Sequence, residues 1–392
     1  MCVVGDAESG GKLRDGNPVS TNLYLILFFT RGVSLRTWDR VGNLEREVAL
    51  YRQLQRRGVQ VSFVTYGDRG DLAYRDRLPG IRILCNRWGL PLRRYERWLF
   101  WLHLPHLLRA TVLKTNQTDG GDVALRVAHR LGKKLIARCG YLHSDFTARR
   151  HGQDSPEVQR ARALEERLFT GADQVVVTTP AMRQTIVNRY GLSEDKVTVI
   201  PNYVDTDLFR PNPDVPPKPG RICFIGRLEE QKNLFALLEA VKGLDVELVL
   251  VGNGGLREGL EAKARAEHIP AQFLGALPHG ALAEVLNGAQ VFILPSLYEG
   301  HPKTLIEAMA CGLPVIGTDV PGIRDLIVHR ETGFLCGTSP AEIRQAIQEV
   351  LGDKALQERM GRKAREFVVE HFALDRIVSM EMALLDEVVT QT

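Results

Sequence analysis

Short apolar runs alternate along the chain with longer stretches whose apolar side chains recur at helical spacing. Residues 22–29 and 59–66 are predicted strands, and residues 43–57 between them place apolar side chains on one helical face. The alternation continues with predicted helices at 123–131, 157–169 and 180–189 and predicted strands at 133–138, 173–178 and 196–201. This order predicts a mostly parallel, doubly wound α/β sheet.

A proline-rich connection separates two such series. Residues 211–220 contain five prolines, which favour a stiff, extended segment. The alternation then restarts, with predicted strands at 221–226, 246–252, 271–275, 289–295 and 313–319. A last helical stretch covers about 355–390, so the pattern predicts two α/β domains.

Composition argues against fibrous, disulfide-rich and membrane-spanning proteins. Of the 392 residues, 44% are hydrophobic and 25% charged, and the six cysteines are scattered without a C-x-x-C pair. No apolar run reaches the roughly 18 residues that a membrane span requires. Residues 1–21 lack the basic start and the cleavage site of a signal peptide. We therefore expect a cytoplasmic protein, either free or peripheral on the cytosolic face of a membrane.

Charge is distributed unevenly between the two halves. Residues 1–210 hold 33 Lys and Arg against 22 Asp and Glu, whereas residues 211–392 hold 18 against 25. A basic half suits phosphates, an anionic membrane or nucleic acid. An uneven but merely solvated surface explains the same numbers, so both interpretations stay open.

Three motifs follow predicted strands of the second half. Residues 251–259, V-G-N-G-G-L-R-E-G, look like a dinucleotide fingerprint, but residues 270–278 lack the acidic residue that would hold a ribose. A tight turn into a helix is the favoured interpretation. Residues 226–233, G-R-L-E-E-Q-K-N, place Arg227 and Lys232 in a strand-to-helix loop, where cations can reach a phosphate.

The third motif combines an anion site with two carboxylates. Pro302 suits the first turn of a helix that Gly312 ends, and the N-terminus of such a helix attracts anions. Glu299 precedes the helix and Glu307 lies within it. Carboxylates at such a place suit hydrogen bonds from sugar hydroxyls. The alternative is that Glu307 is only an exposed helix residue.

These stretches carry a family resemblance. The segments VIPNYVDTDLFRP, ICFIGRLEEQKN, LVLVGNG and EGHPKTLIEAMACGLPVIGTDVPGIRDLI occur in this order between residues 199 and 327. They resemble the donor-binding domain of the retaining family-four glycosyltransferases, which have the GT-B fold of two Rossmann-like domains facing a central cleft. Glu299 and Glu307 form that family's E-x7-E signature.

The resemblance implies a role for each matching residue. Arg227 and Lys232 would hold the donor diphosphate, Glu299 would contact the donor sugar, and Glu307 would bind the ribose. The implied donor-binding set is Gly42, Gly226, Arg227, Lys232, Gly252, Asn253, Gly300, His301, Lys303, Thr304, Leu305 and Glu307. The predicted catalytic residues are Arg227, Lys232, Glu299 and His143. Cations and a helix N-terminus would neutralise the leaving diphosphate, so no metal and no cofactor are expected.

The first half would bind the acceptor. The resemblance implies an acceptor domain over 1–210, completed by a crossover helix at about 372–392, and a donor domain over 211–371. Asn43 stands where the family often has a second glycine, and the family's histidine aligns near Cys139 or Gly140 rather than at His143. Candidates for acceptor contacts are Arg31, Arg36, Arg138, Tyr141 and Asp145.

Residues 87–109 stand apart in composition. They hold three of the four tryptophans together with five arginines. A basic helix with aromatic and leucine side chains suits an anionic membrane surface, although the same side chains could instead pack on the sheet. No nucleic-acid motif accompanies them, so we expect no nucleic-acid partner.

The resulting hypothesis is a metal-independent, retaining glycosyltransferase. It would move a hexosyl group from a nucleotide sugar, with UDP-sugar as the first choice, to a hydroxyl of a saccharide or lipid-linked glycan in polysaccharide or glycolipid biosynthesis. Two alternatives stay open: a sugar-nucleotide epimerase, and a non-catalytic protein that binds a nucleotide sugar.

Overall fold

Two parallel β-sheets organise the chain. The computed structural model describes residues 23–390, so the absence of a signal peptide, predicted for residues 1–21, concerns residues outside the described range. The first series is β1 (Tyr24–Phe28), α1 (Leu35–Arg40), α2 (Leu44–Arg56), β2 (Gln60–Val64), β3 (Arg82–Leu84), α3 (Leu92–Arg109), β4 (Val112–Thr115), α4 (Gly121–Leu131), β5 (Lys134–Cys139), α5 (His143–His151), α6 (Pro156–Gly171), β6 (Gln174–Val177), α7 (Pro180–Tyr190) and β7 (Val197–Val199).

The second series follows the proline-rich segment. It comprises β8 (Arg221–Ile225), α8 (Leu234–Val241), β9 (Glu247–Val251), α9 (Arg257–Ala266), β10 (Ala271–Gly275), α10 (His279–Asn287), β11 (Val291–Leu294), α11 (Lys303–Ala310), β12 (Val315–Thr318), β13 (Phe334–Cys336), α12 (Pro340–Gly352), α13 (Lys354–Phe372) and α14 (Leu374–Thr390). Short 3₁₀ helices lie at Arg69–Arg75, Glu194–Lys196 and Glu230–Lys232.

Strand order gives each sheet a switch point. The first sheet runs β3-β2-β1-β4-β5-β6-β7 and the second β10-β9-β8-β11-β12-β13, with all neighbours parallel. The order therefore reverses between β1 and β4 and again between β8 and β11. Ligands of open α/β sheets bind outside the carboxyl ends of strands at such points. The prediction of two doubly wound α/β domains is confirmed.

Each face of the first sheet buries its own apolar cluster. Leu25 and Leu27 point into a cluster with side chains of α2, while Ile26 and Phe28 point into one with α3 and α6. The strand positions alternate between the two faces, and because helices cover both faces all five β1 residues are buried. A third cluster surrounds the second sheet.

The last helix returns to the first sheet. Backbone hydrogen bonds join Val204 to Phe372 and Leu374, where α13 ends and α14 begins. From there α14 adds Leu374, Ile377, Val378, Met382, Leu384, Leu385 and Val388 to the apolar cluster of the first sheet that also contains Leu25.

A buried ion pair accompanies this apolar contact. Lys114 Nζ on β4 lies 2.6 Å from Oε1 of Glu381 on α14, and each side chain is only 1% exposed. Because an uncompensated charge is costly in an apolar core, the two side chains depend on each other.

The pattern-based assignment differs from the structure in a few short elements. The strand predicted at 133–138 is β5 (Lys134–Cys139), but the pattern did not predict α5, which begins at His143. The pattern also gave no sign of β4 or β13, which have four and three residues. Within residues 23–390, no helix has both the length and the apolar character of a membrane span.

Candidate active site

A cleft of about 1280 Å³ lies between the carboxyl edges of the two sheets. The second domain contributes the loops that follow β8, β9 and β11, and the first contributes the ends of α1 and β5 together with α5. Both switch points open into this cleft. The lining includes fourteen of the predicted site residues: Gly42, Arg138, Tyr141, His143, Gly226, Arg227, Lys232, Gly252, Asn253, Glu299, Gly300, His301, Lys303 and Thr304.

Glycines let the β8 and β9 loops touch. Gly252 has φ 132°, and a Cβ built there would lie 1.9 Å from the carbonyl oxygen of Gly226. Only glycine tolerates both the backbone conformation and this approach. Where these two loops meet, backbone atoms of Gly226 and Gly252 line the cleft.

Lys232 and Glu299 meet across the β8–β11 switch point. Lys232 ends the 3₁₀ turn after β8, and its ammonium forms an ion pair with the carboxylate of Glu299 in the loop after β11. Ser296 Oγ donates to Glu299 Oε1 at 2.7 Å. Both charged side chains are largely buried, with 12% and 8% exposed. This arrangement fixes one cation and one carboxylate at the centre of the donor side.

Arg227 lies at the rim of the same loop. Its side chain is 61% exposed, and Nη1 donates to Glu229 Oε1 at 3.1 Å. A guanidinium at the rim remains able to turn toward an anionic ligand in the cleft.

Gly300 and His301, in the loop before α11, and Lys303 and Thr304, in its first turn, face the cleft. Lys303 crosses the cleft to form an ion pair with Glu47 of α2. Burial would raise the pKa of Glu47, but the Lys303 ammonium, together with Arg46 and Arg138, outweighs burial and holds that pKa below its usual value. The pair therefore joins the two domains as ions.

His301 provides a neutral ring beside this helix turn. Burial, together with the nearby Arg138 guanidinium, lowers the pKa of His301 to about 3. Nδ1 is buried and has no hydrogen-bond partner within residues 23–390. A neutral imidazole with an unsatisfied nitrogen is suited to a hydroxyl of a bound sugar.

Asn202 connects His301 with the first domain. Its Nδ2 donates to the carbonyl oxygen of His301 at 2.7 Å, and its Oδ1 accepts from Arg138 Nη2 at 2.7 Å. The end of β5 is thus tied to the beginning of α11.

Glu307 does not line the large cleft in this structure. Its carboxylate is 1% exposed and lines a neighbouring cavity of about 270 Å³. Arg46 Nη2 on α2 donates to Oε2 at 2.8 Å, and His279 Nε2 lies 2.9 Å from Oε1. Burial would raise the pKa of Glu307, but Arg46 and His279 together lower it. The alternative of an exposed helix residue is wrong, because this carboxylate is buried and paired across the domains.

Several acceptor-side candidates also lie elsewhere. Arg31 binds the carboxylates of Glu96, Asp119 and Asp122, which hold it away from the cleft. Arg36 faces Asp68 at 3.6 Å, and Asp145 pairs with Arg189 at 2.8 Å. On the donor side, Leu305 was predicted to bind the donor, but it is fully buried in the core and does not line the cleft. Ion pairs and apolar packing, neither visible in a local pattern, account for these placements.

The acceptor side keeps three predicted residues, Arg138, Tyr141 and His143. Cys139, near which the family's histidine aligns, is buried, and burial raises the pKa of its thiol. Its Sγ donates to the carbonyl oxygen of Tyr141 at 3.2 Å. Cys139 is therefore a packed thiol and not a reactive one.

Other lining residues were not predicted as site residues. They include Arg46, Glu47, Gln117, Arg150, Arg160 and Asn202. Arg46 and Glu47 come shortly after the Gly42–Asn43 turn, where Gly42 was predicted to bind the donor. Their proximity to this turn in the sequence could therefore have identified them as site residues. The described residues contain no group of three or more His, Cys, Asp or Glu side chains placed to hold a metal ion.

Comparison with solved structures identifies the fold class. The chain superimposes on sucrose-phosphate synthase from Thermosynechococcus elongatus with a TM-score of 0.78 and 22% identity, covering 94% of this chain and 100% of that one. It superimposes on Anabaena Alr3699/HepE, solved in complex with UDP-glucose, with a TM-score of 0.75 and 16% identity, covering 93% and 99%. Together with the cleft between two parallel-sheet domains, these likenesses define a GT-B fold.

Sequence comparison then gives the family. Residues 48–208 match the model described as Glycosyltransferase Family 4, and residues 205–367 match the one described as Glycosyl transferases group 1. The D-inositol 3-phosphate glycosyltransferase of Corynebacterium diphtheriae is 26% identical over 370 residues, which are 83% of this chain and 84% of that protein. The chain belongs to the family-four glycosyltransferases.

Proposed function

We propose that this glycosyltransferase moves a sugar from UDP-sugar to a hydroxyl group of a saccharide or lipid-linked glycan, with retention of configuration. The observation that carries the proposal is the Lys232–Glu299 pair at the β8–β11 switch point, opposite the first turn of α11. A cation suits the diphosphate and a carboxylate suits the sugar hydroxyls, and here the two side chains are adjacent.

The cleft residues stabilise the leaving group, and the acceptor hydroxyl acts as the nucleophile. Lys232, Arg227 and the free N–H groups at the beginning of α11 stabilise the negative charge that develops on the leaving diphosphate. The bond between the anomeric carbon and the phosphate oxygen breaks, and its electron pair stays on that oxygen. The acceptor hydroxyl attacks the same face of the anomeric carbon and gives its proton to the departing phosphate.

The donor nucleotide and the lack of a metal are parts of this proposal. The HepE structure in complex with UDP-glucose supports uracil as the base. Arg227, Lys232 and the helix N-terminus support metal independence, because they supply the positive charge that a divalent cation would otherwise provide. The acceptor class rests on the basic first domain, whose cleft face includes Arg40, Arg138, Arg150 and Arg160.

Thermal unfolding with UDP, GDP or ADP, each with and without EDTA, tests the donor site. A ligand at about 100 times its Kd stabilises the folded state by about 2.7 kcal/mol. We expect UDP to raise the unfolding temperature regardless of EDTA. If only GDP or only ADP raised the unfolding temperature, the donor base would be guanine or adenine instead of uracil. A rise in unfolding temperature that EDTA removes would contradict metal independence.

Two matched arginine variants refine the assignment. Arg227→Gln should reduce the UDP-dependent shift, whereas Arg36→Gln should not, although both side chains are more than half exposed. Release of UDP in proportion to the glycoside formed would support transfer. An α-linked glycoside formed from an α-linked donor would support retention of configuration. An isomerised nucleotide sugar without UDP release would indicate an epimerase, and binding without turnover of any UDP-sugar would indicate the non-catalytic alternative.

A further inference from the structure

Helix α3 exposes aromatic and basic side chains on one face. Arg94, Trp98, Trp101, Pro105 and Leu108 follow one another at spacings of four and three residues, and all five are exposed. The side chains of Trp98, Trp101 and Leu108 are 53%, 60% and 53% exposed. Large apolar side chains on the surface in such a row mark a surface that contacts something other than water.

A basic groove runs beside this face. It lies between α3 and α4, has a volume of about 380 Å³, and is lined by four arginines together with Glu96, Phe100, Asp122, Val123 and Val127. The arginines are Arg93, Arg97, Arg126 and Arg130. Four guanidinium groups against two carboxylates give the groove a positive charge.

The two carboxylates are already engaged. Glu96 pairs with Arg31, and Asp122 pairs with both Arg31 and Arg126. Arg93 and Arg97 have no carboxylate partner in the part of the chain that the structure describes. Two guanidinium groups that face one groove without a counter-ion are suited to an oxyanion such as a phosphate.

Aromatic contacts connect the groove with the exposed face. The Arg130 guanidinium lies 5.3 Å from the centre of the Phe100 ring, and the Phe100 ring meets Trp101 edge-on at 5.0 Å. Groove and apolar row therefore form one continuous surface, which we call the α3 surface (residues 93–108 with Arg126 and Arg130).

We propose that the α3 surface binds an anionic phospholipid bilayer, with Trp98, Trp101 and Leu108 in the headgroup region and a lipid phosphate in the arginine groove. Tryptophan favours the membrane interface, and each nearby arginine adds attraction to anionic lipid. A second copy of this chain is a poor occupant, because a self-complementary contact would bring the same guanidinium groups together.

The groove lies close to the acceptor side of the cleft, so binding to a bilayer would affect where a lipid-linked acceptor is held. Arg31, in the loop after β1, joins Glu96 of α3 to Asp122 at the beginning of α4, so the groove begins at the carboxyl edge of the first sheet. The cleft lies at the same edge. A lipid-linked acceptor held at the bilayer would have its headgroup beside the acceptor side of the cleft. The inference does not rest on the donor proposed above.

Vesicle flotation tests the proposal on the full chain. We compare vesicles of phosphatidylcholine alone with vesicles that also contain phosphatidylglycerol, and we follow tryptophan fluorescence in parallel. Binding should require phosphatidylglycerol and shift the emission to shorter wavelength. Arg93→Gln/Arg97→Gln should weaken binding by roughly tenfold or more. Arg56→Gln/Arg57→Gln removes two exposed charges at the C-terminal end of α2 and should change binding less than about threefold.

A second pair of substitutions separates the apolar contribution from the charges. Trp98→Ser/Trp101→Ser changes exposed side chains only, so the fold should survive, and it should abolish the emission shift while leaving thermal unfolding unchanged. Glycerol phosphate as a soluble competitor should not displace the vesicle-bound protein. Displacement by glycerol phosphate would mean a site for free phosphate, and it would overturn the bilayer proposal.

Other outcomes would also overturn it. The proposal is wrong if the protein binds both vesicle types equally, or if the two double-arginine substitutions have equal effects. It is also wrong if the protein self-associates through Trp98 and Trp101, or if an oligonucleotide binds the α3 surface more tightly than vesicles do. UDP-dependent stabilisation measured without vesicles is independent of these results, so failure here is distinguishable from failure of the donor site.

Discussion

Arg46 and Glu307 form a buried ion pair that joins the two domains, although 261 positions separate them in the sequence. Arg46 belongs to α2 of the first domain and Glu307 to α11 of the second, and their side chains are 10% and 1% exposed. With His279 on the other side, the carboxylate has both oxygens in contact with nitrogen donors. A ribose that binds Glu307, as the family resemblance implies, would have to compete with Arg46 for this carboxylate.

This competition predicts opposite effects of one substitution. Arg46→Met should lower the free energy of unfolding without ligand by about 3 kcal/mol, because it leaves Glu307 with one fewer partner in a buried place. The same variant should show a larger UDP-dependent rise in unfolding temperature than the unmodified protein. Arg56→Met, on the exposed side of the same helix, serves as the control. A smaller UDP shift in Arg46→Met would show that Arg46 binds the nucleotide instead of competing with it.

Gly42 predicts a test of domain contact. Its φ is 73°, and a Cβ there would lie 2.4 Å from the carbonyl oxygen of Leu277 across the cleft. Gly42→Ala should therefore keep the domains apart and lower kcat by at least about tenfold, since a small misplacement of catalytic groups is costly. Small-angle scattering should show a more open molecule.

Gly58 supplies the matched control for that prediction. It has a similar positive φ of 90°, but a Cβ there meets nothing within 4 Å. Gly58→Ala should cost about 1 kcal/mol of stability from backbone strain and leave kcat unchanged. Equal losses of activity in both variants would point to general destabilisation and not to the cleft contact.

His301 predicts a pH dependence of stability. Its pKa is about 3 in the folded chain against 6.5 in the unfolded chain, so the unfolded state binds the extra proton. Stability contributed by His301 is present above about pH 6.5 and falls as the pH drops toward 3. Urea titrations should show a slope near pH 5 that His301→Asn reduces by about 1.4 kcal/mol per pH unit. An unchanged slope would mean that the ring is not held neutral.

The Lys114–Glu381 pair predicts strong coupling between two substitutions. Lys114→Met alone leaves a buried, uncompensated carboxylate and should destabilise the protein by about 3 to 5 kcal/mol. Lys114→Met combined with Glu381→Leu should return stability to within about 1 kcal/mol of the original, or above it. Chemical denaturation of Lys114→Met, Glu381→Leu and the double variant measures this double-mutant cycle, and simple additivity would exclude the coupling.

The sequence predicted the donor side better than the acceptor side for a physical reason. Gly226, Lys232, Gly252 and Glu299 all follow strands of one parallel sheet, and the carboxyl ends of such strands share an edge. Knowing the strands was therefore enough to bring these residues together.

Contacts between domains escaped the same reasoning. Nothing in a local pattern indicates that Arg46 meets Glu307 or that Lys303 meets Glu47, because these contacts depend on how two folded domains face each other. Arg31 and Asp145 were predicted as site residues, but ion pairs with other side chains hold both of them outside the lining of the cleft. These ion pairs could not be predicted from the local sequence either. Short strands such as β13 have too few residues for a period to be recognised.

Helix α14 sets an order of events during synthesis. The ribosome delivers β1 to β7 first, yet the apolar cluster that contains Leu25 and Leu27 is complete only when residues 374–390 have emerged. The second domain, whose apolar cluster ends at Phe372, has all its core residues before that point. The part of this cluster that α14 covers in the folded protein therefore stays exposed in the nascent chain until the last part is translated.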